Sequence, residues 1–494
     1  MNININIDHA VAITPPDVVP PATSVDLSDY SPDPTGATSS DAAFTAAMTA
    51  AGVDGQVDIG PGTFLISSPI LPLAGQILSG DGIDSTILRL DIDNIANFPF
   101  LALIQGIAET GGGFTANPGV TVQDLTINGG RSGAVYTEAG KPPGKTTGAQ
   151  VENSLYDTVS CPDGYGQGIS LKYGWTVQRV RFTNINGHKC STFSSHGATI
   201  RDCVWDNAGN DEDPAFPSTS GERDQIGGGA GVTDLLIERC VFKPDCVGSG
   251  IDITQGTRVV IRDCSVYAFS LILEGVIDFE VSGNYLGPLG GVGGTGGGGN
   301  INIKPNTQYN SSVWADYPTN TVPGAGAFQA RDGVVSGNTI VASTGAPGVI
   351  INYTDNSKTG FPLYVAGGNN IIENNSIIGP LYMGVLVVGN TSGAKSDPDI
   401  IRNNRVFDVI PGTAGLGTEY NSGAGYFEAC GIGISIGVDD KIYGNTVYET
   451  RSSPPEVHVI HVGGRSQSSV PFENTYVSNN IGQGTTGDVI HNAF

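Results

Sequence analysis

The chain has 494 residues, of which 48 are acidic and 23 basic, so its formal net charge at pH 7 is −25. Such a charge repels the phosphates of nucleic acids and of anionic membrane surfaces, which excludes both as expected partners. Glycine is abundant, with 72 residues, and only 14% of residues are charged, a composition that favours a chain with many turns. At this length the choice lies between several globular domains and one elongated repeat.

The beginning of the chain divides into an arm, residues 1–22, and a predicted cap with a first coil, residues 23–90. The arm lacks a basic segment followed by an apolar one, so it does not predict a secretory signal peptide. An Ala-rich helix is predicted to begin near Ser40 or Asp41, and an apolar strand with a Pro-Gly turn follows it. Because the open end of a solenoid needs a cover, we expect this helix to be the cap.

From residue 91 to 494 one short template recurs, as in TIRDCVW, VIRDCSV, VVSGNTI and KIYGNTV. An apolar residue is followed three positions later by Cys or Asn and then by another apolar residue; the marked residues are Cys203, Cys240, Cys264, Asn284, Asn338, Asn375, Asn404, Asn445 and Asn480. We expect the marked residue to form a corner with left-handed φ, stacked Asn to form a ladder, and Cys to act as a small apolar plug.

A second strand with strict alternation precedes most copies, as in GIDIT and NINIK. Alternate residues of a strand point to opposite faces, so one set fills the coil and the other faces outward. The predicted inward residues are Ile169, Leu171, Ile251, Ile253, Ile301 and Ile303, and the predicted outward ones are Lys172, Asp252, Thr254, Asn302 and Lys304. The pattern predicts an all-β fold, a single-stranded right-handed parallel β-helix of about 10–12 rungs with inserted loops near 129–165, 206–222, 285–332 and 411–428.

The start of the coil carries the pattern D-x-T-G, D-x-x-A-F-x-x-A and G-x-V-x-I-G-P-G-T-F. With the rung template, it resembles the pectate-lyase-like superfamily, which includes polygalacturonases, phage tailspikes and mannuronan epimerases. The resemblance implies an elongated groove along one parallel sheet in which a polysaccharide lies. The D-P-H-E motif of the epimerases and the motif set of the polygalacturonases are absent from the sequence. Function therefore has to be argued from the groove residues.

Two acidic residues on neighbouring repeats, Asp252 and Glu274, are predicted to face the groove. Their carboxyls are expected one to two rung spacings apart, roughly 5 to 10 Å, which spans the separations of both retaining and inverting glycosidases. We expect one to act as general acid and the other to activate water. Asp224 is a third candidate, since the alternation does not decide whether Arg223 or Asp224 faces outward. The plainer interpretation is a solvated acidic surface.

A group of outward or neighbouring residues is predicted to bind the substrate: Lys172, Arg223, Lys304, His196, Asn302, Tyr353 and Trp314. The competing chemistry is a lyase, in which a base removes the proton beside a uronate carboxyl while a cation neutralises that carboxyl. Lys172, Arg223 and Lys304 suit that role. Hydrolysis needs no cofactor, Ca²⁺ is a possible ligand in the lyase case, and no metal-binding motif is recognised. Hydrolysis is favoured because an acidic groove repels a polyanion.

The third alternative is a non-catalytic glycan-binding or spike-type β-helix. We expect the partner to be a polysaccharide or oligosaccharide and the location to be extracellular, either secreted or on a virion. Trimers are common among spike-like relatives, so a homo-oligomer such as a trimer is one possible form, although nothing in the sequence demands it. Two histidines in EVHVIHV, His458 and His461, have opposite parity, so only one of them is expected to face outward.

Overall fold

The structure is a computed structural model of the chain. The described residues are 23–91, 102–105, 117–129, 167–185, 190–192, 195–206, 224–228, 232–244, 246, 250–267, 270–287, 300–304, 330–341, 349–352, 368–380, 382–388, 398–410, 420–421, 426–427, 429–434, 437–453, 455–462, 472–473, 475–485, 487 and 489–492. Of the residues selected from the sequence, Arg223, Trp314 and Tyr353 lie outside the described residues, as does the predicted arm, residues 1–22.

The alternating strands form one parallel sheet, which we call the groove sheet. Each strand pairs in register with the strand of the next rung. Its twelve strands are Ala102–Gln105, Gln167–Ser170, Cys190–Ser191, Ile226–Gly228, Ile251–Thr254, Ser270–Glu274, Asn300–Lys304, Val349–Asn352, Met383–Val388, Cys430–Ile434, His458–Val462 and Ile490–Asn492. The predicted parallel β-helix is confirmed, because consecutive strands are parallel and joined through a second sheet.

The rest of each coil belongs to a 25-stranded parallel sheet that is bent into two rows. The first row contains Ser24–Asp26, Gln56–Asp58, Ile77–Ser79, Thr121–Asn128, Thr176–Thr183, Thr199–Arg201, Val232–Glu238, Gly256–Arg262, Ile277–Ser282, Val334–Ser336, Ile371–Glu373, Ile400–Arg402, Lys441–Tyr443 and Tyr476–Ser478. The second row adds Gly62–Ile66, Thr86–Leu90, Val204–Asp206, Val241–Phe242, Ser265–Val266, Tyr285–Leu286, Thr339–Val341, Ser376–Ile378, Arg405–Phe407, Thr446–Tyr448 and Ile481–Gln483. Two long strands, Thr121–Asn128 and Thr176–Thr183, run through both rows.

The N-terminal elements are a 3-10 helix, Leu27–Tyr30, and an α-helix, Asp41–Ala51. The α-helix buries Phe44 and Ala47 and packs against the first two strands of the bent sheet, as expected of a cap. Two small pairs complete the strands: the antiparallel Tyr420–Asn421 with Tyr426–Phe427, and the parallel Gly437–Val438 with Phe472–Glu473. Among the described residues, no helix is long and apolar enough to span a bilayer.

The core confirms the predicted direction of the groove-sheet side chains. All six residues predicted to point inward are fully buried in one hydrophobic core. The residues predicted to point outward are half-buried, which places them on the groove face. The alternation fixes these directions because side chains of a strand repeat with a period of two.

The corner prediction is partly wrong, because the marked residue does not take the left-handed conformation. The residue immediately before it does, as at Asp263 with φ 55°, Gly337 with φ 63° and Asn403 with φ 55°. The marked Asn side chains from Asn284 to Asn445 are instead buried and point into the coil, and that of Asn480 is half-buried. Asp, Asn and Gly tolerate the strained position, so the corner depends on the residue before the marked one.

The predicted Asn ladder is confirmed. The side-chain amide of each Asn donates to the side-chain oxygen of the next, at 2.9–3.0 Å from Asn284 through to Asn480. The same oxygens also accept from the backbone amide one rung earlier, as Asn404 Oδ1 does from the Asn375 amide at 3.1 Å. Cys264 adjoins the ladder, and its amide donates to Asn284 Oδ1 at 2.9 Å. None of the six described cysteines forms a disulfide, and all are buried.

One predicted loop is wrong in extent. The segment 285–332, expected as a single insertion, contains the strand Tyr285–Leu286 and the groove strand Asn300–Lys304. The NINIK alternation had indicated the second of these strands. The insertion is therefore divided by a rung of the solenoid, and this rung carries two of the predicted binding residues.

Candidate functional site

The register of the groove sheet arranges its outward residues in columns that run along the solenoid. In one column, Asp252 lies between Gly227 on the preceding rung and Ile272 on the following rung, and Asn302 comes next. Two residues further along the strands, a second column contains Thr254, Glu274 and Lys304 on successive rungs. The two predicted catalytic carboxyls are therefore on adjacent rungs but in different columns.

Glu274 and Lys304 form an ion pair between neighbouring rungs. Both side chains are partly covered, with 21% of Glu274 and 33% of Lys304 exposed. Burial acts to lower the pKa of Lys304, but the charge and hydrogen bond of Glu274, together with the charges of Asp252 and Asp224, outweigh it and raise that pKa. Lys304 therefore remains a cation within an acidic group.

Asp252 has the opposite electrostatic environment. Burial, followed by repulsion from Asp224 and Glu274, raises the pKa of Asp252 well above its ordinary value, while Lys304 and the Thr254 side chain act in the opposite direction. Its Oδ1 atom is buried and has no hydrogen-bond partner among the described residues. A carboxyl in such a site holds its proton at a pH where an exposed carboxyl is ionised.

Asp224 is the third member of what we call the carboxylate cluster, Asp224, Asp252 and Glu274. It precedes the strand Ile226–Gly228, one rung before Asp252, and only 4% of it is exposed. Its charge contributes to the pKa of both Asp252 and Lys304. The three acidic residues selected from the sequence therefore interact electrostatically in the structure, although Asp224 is more buried than a groove-facing residue was expected to be.

The separation of Asp252 and Glu274 follows from the register. Adjacent rungs lie about 4.8 Å apart and two residues along a strand span about 6.6 Å, so the two Cα atoms are roughly 8 Å apart on the diagonal. Both side chains leave the same face of the sheet. Side chains that extend in parallel from the sheet keep this backbone spacing, which lies within the range of carboxyl separations, about 6.5–9.5 Å, that leaves room for a water molecule between substrate and base.

Lys172 and His196 lie apart from the carboxylate cluster. Lys172 follows the groove strand Gln167–Ser170, which is three rungs before the strand of Asp252. His196 lies at the corner that leads into the bent sheet, where its Nδ1 is 2.6 Å from Thr233 Oγ1. Its ring also lies near Tyr173, with 6.3 Å between the ring centroids. Tyr173 and His196 therefore form an aromatic pair at the corner that follows the strand of Lys172.

Asn302 faces outward two rungs from Asp252, with Ile272 between them. This position is compatible with the predicted binding role. The sequence predicted that Thr254 faces outward but gave it no role; it is in register with Glu274 and contributes to the pKa of Asp252. It also missed Asn300, at the start of the strand that carries Lys304, whose buried Oδ1 has no described hydrogen-bond partner. The NINIK alternation was the available signal for Asn300.

The histidines of EVHVIHV differ from expectation. Both are buried, and their ring centroids are only 6.4 Å apart. His461 continues the column of Asp252 through Asn302 and Gly433. Strict alternation fails here because Val459 and Ile460, the two residues between the histidines, both lie in the hydrophobic core, so one residue is added between the outward positions. Opposite parity therefore does not separate the two rings.

The carboxylate cluster, whose three members all lie among the described residues, lacks the grouping of ligands that a metal site needs. Within the described part of the chain, no three or more His, Cys, Asp or Glu side chains are grouped closely enough to hold a metal ion. The expectation of Ca²⁺ in the lyase alternative stays a prediction.

Comparison with known proteins gives a fold assignment. No family model matches the chain, and no curated protein sequence does. Among solved structures, the surface adhesin PfbA of Streptococcus pneumoniae matches with a TM-score of 0.55 and 13% identity, over 86% of this chain and 90% of that one. The tailspike of Escherichia coli bacteriophage HK620, solved with a pentasaccharide, matches with a TM-score of 0.53 and 11% identity, over 95% and 78%.

The chain is a right-handed parallel β-helix protein. At these identities the likeness shows the fold, which β-helix proteins of different activities share. The catalytic unit of an α-1,3-glucanase from Streptomyces thermodiastaticus also matches, with a TM-score of 0.49, 15% identity and coverage of 95% and 70%. In this β-helix the outward face of the groove sheet, which carries the carboxylate cluster, is the candidate functional site.

Proposed function

We propose that this β-helix hydrolyses a polysaccharide held along the groove sheet, with Asp252 as general acid and Glu274 as general base. The observation that carries the proposal is the contrast between two neighbouring outward carboxyls. Burial and like charges raise the pKa of Asp252, whereas Glu274 is paired with the ammonium of Lys304. A pair of carboxyls whose environments differ in this way is suited to acid–base catalysis on a glycosidic bond.

In the proposed reaction the chain lies along the solenoid so that one glycosidic oxygen is near Asp252. The Asp252 carboxyl donates its proton to that oxygen as the bond to the anomeric carbon breaks. The Glu274 carboxylate removes a proton from a water molecule, whose oxygen bonds to the anomeric carbon. The proton count balances, because Asp252 loses the proton that the leaving alcohol gains and Glu274 gains one from water.

Asp224 and Lys304 are proposed to act through the two catalytic carboxyls, Asp224 on the protonation of Asp252 and Lys304 on the position of Glu274. Asp224 helps to keep Asp252 protonated, since its own charge opposes ionisation of its neighbour. Lys304 holds the Glu274 carboxylate on the side of the groove where water would approach. Asn302, outward and two residues before Lys304, is proposed to bind sugar hydroxyls. Neither step requires a metal ion; if elimination occurs instead, we expect Ca²⁺ or a lysine to neutralise the uronate carboxyl.

The experiment is digestion of a panel of polysaccharides with detection of new reducing ends. We expect Asp252→Asn and Glu274→Gln to reduce the rate by about 10²–10⁴-fold, the usual contribution of a positioned acid or base. Glu280→Gln is the matched control, because Glu280 is a carboxylate on the bent sheet of the same rung as Glu274. Cleavage that survives both groove substitutions would contradict the proposal, as would the absence of cleavage of every glycan by the wild type.

A non-catalytic glycan-binding β-helix is the second candidate, and one observation favours it. The best structural match by TM-score among those reported above is a surface adhesin. Tight binding of a glycan without any cleavage, unchanged by Asp252→Asn and Glu274→Gln, would support this candidate. In either case we propose an extracellular or virion-borne location, a glycan partner, and a homo-oligomer as the form to be tested by light scattering.

A further inference from the structure

Lys172 lies in a turn at the end of a groove strand. The Trp175 amide donates to the Lys172 carbonyl at 3.5 Å, and Gly174 has φ 67° at the third position, as a type II turn requires. Trp175 is fully buried and its Nε1 donates to the Asn117 carbonyl at 2.7 Å. The Gly174 amide also donates to the His196 carbonyl at 2.7 Å, so the turn is fixed to the rungs on both sides.

The ammonium of Lys172 has no ion-pair partner in the part of the chain that the structure describes. The side chain is half-buried, and burial lowers the pKa of Lys172. Partial burial of an unpaired cation is unfavourable because a desolvated charge needs a partner, and a bound anion would supply one. Lys304, by contrast, is already neutralised by Glu274.

Tyr173 supplies the second part of the group. Tyr173 directly follows Lys172 in the turn and its side chain is 53% exposed, and its ring lies 6.3 Å from that of His196 with 40° between the planes. Aromatic faces of this kind pack against sugar rings. His196 is in turn held by Thr233, at 2.6 Å from Nδ1 to Oγ1. A cation beside an exposed aromatic ring is suited to a sugar that carries a carboxylate.

We propose that Lys172, Tyr173 and His196 form a subsite for an acidic sugar, about three rung spacings from Asp252, roughly 14 Å along the groove. The inference deepens the proposed hydrolysis and rests on it for the direction of the glycan. The cleavage point itself is lined by three acidic residues, of which Asp252 is protonated, and by one neutralised ammonium, which disfavours an acidic sugar there. The substrate class is therefore a mixed glycan, with carboxylate-bearing sugars separated by neutral ones, rather than a homopolymer of uronates.

The test uses polysaccharides of mixed neutral and acidic composition, each compared with its carboxyl-reduced form. Binding is measured on Asp252→Asn, whose cleavage is expected to be slower by about 10²–10⁴-fold, with and without Lys172→Met. We expect the acidic form to bind more tightly, and Lys172→Met to weaken it by about 10–100-fold, the value of a hydrogen bond to a charged group. Lys441→Met, on the bent sheet, makes the same chemical change away from the groove and should leave binding unaltered.

The outcomes separate the subsite from the proposed hydrolysis. A preference for the acidic form that depends on Lys172, without cleavage by the wild type, would support the subsite and contradict hydrolysis. Cleavage by the wild type with equal binding of acidic and reduced glycans, or with a preference that Lys172→Met leaves intact, would overturn the subsite alone. Where cleavage occurs, product sequencing should place an acidic sugar at a constant distance, on one side only, from the broken bond.

Discussion

Glu274 pairs with Lys304 on the next rung, while Asp252, one rung before Glu274, lies two residues back along its strand. This diagonal arrangement gives the two carboxyls different neighbours although they share one face of the sheet. Asp252 lies between the charges of Asp224 and Glu274, whereas Glu274 lies against an ammonium. The roles proposed for the two residues follow from this difference in neighbours.

The first prediction concerns the pH dependence of activity. A general acid must be protonated, so activity should fall as pH rises through the raised pKa of Asp252. Asp224→Asn removes a repulsive charge and should lower that pKa, moving the alkaline limb of the profile to lower pH. Lys304→Met removes an attractive charge and should move the same limb to higher pH.

The measurement is kcat/KM against pH for the wild type and both variants. Lys441→Met serves as the control for loss of an ammonium and Glu280→Gln for loss of a carboxylate, since both lie on the bent sheet. If the alkaline limb of the profile moves in the same direction in Asp224→Asn and Lys304→Met, the limb does not reflect the ionisation of Asp252.

The second prediction concerns stability. Because the folded-state pKa of Asp252 is raised, its ionisation opposes folding: stability falls as pH rises from the unfolded value, about 3.9, through the folded one. Asp252→Asn removes this effect. We therefore expect the variant to have a higher free energy of unfolding than the wild type above the folded pKa.

Urea unfolding at several pH values measures this difference. Below the unfolded pKa both forms are neutral, and the gap between variant and wild type should become small. If the difference in free energy of unfolding between variant and wild type does not change with pH, the substitution acts through packing rather than through charge.

The third prediction concerns stereochemistry. The Cα diagonal of roughly 8 Å between Asp252 and Glu274 matches the spacing of inverting enzymes rather than the closer carboxyls, about 5–5.5 Å apart, of retaining ones. We expect the newly formed reducing end to have the inverted anomeric configuration. Proton NMR in the first minutes of digestion identifies the anomer, and initial release of the retained anomer would assign Glu274 as a nucleophile instead.

The fourth prediction concerns the Asn ladder. Asn404 accepts from the Asn375 side-chain amide at 2.9 Å and donates to Asn445 at 3.0 Å, all within the coil. Asn404→Ala leaves buried partners unsatisfied and should lower the free energy of unfolding by about 1–3 kcal/mol for each such group. Asn480→Ala, at the half-buried end of the ladder, should have a smaller effect because water reaches its partners.

Chemical unfolding of the two variants decides between a buried network and independent surface amides. Equal losses of stability at Asn404 and Asn480 would contradict the ladder as a buried network.

The sequence predicted the fold and the direction of the groove residues well, because the two-residue period of side chains in a strand can be recognised from the sequence alone. Ile251 and Ile253 had to be buried if Asp252 was to face outward, and they are. The backbone conformation of the corner was harder to predict. The marked Asn recurs in the sequence, whereas the left-handed position before it is occupied by different residue types, as at Asp263, Gly337 and Asn403. Several residue types tolerate that backbone, so no single type marks it.

The candidate site was only partly predictable. Alternation selected Asp252, Glu274 and Lys304, but the inserted segments hide the rung-to-rung register from the sequence. The ion pair between Glu274 and Lys304 depends on that register. The burial of Asp224 and the added residue between His458 and His461 could not be read from alternation either, since both arise where regular strand geometry ends.

The central claim, hydrolysis by the Asp252 and Glu274 pair, is tested most directly by digestion in water enriched in the heavy oxygen isotope, followed by mass spectrometry of the products. The account predicts one heavy oxygen at each new reducing end with the wild type, and loss of these products in Asp252→Asn and Glu274→Gln but not in Glu280→Gln. Products without the heavy oxygen and with an unsaturated sugar at the new end would contradict it and assign elimination instead.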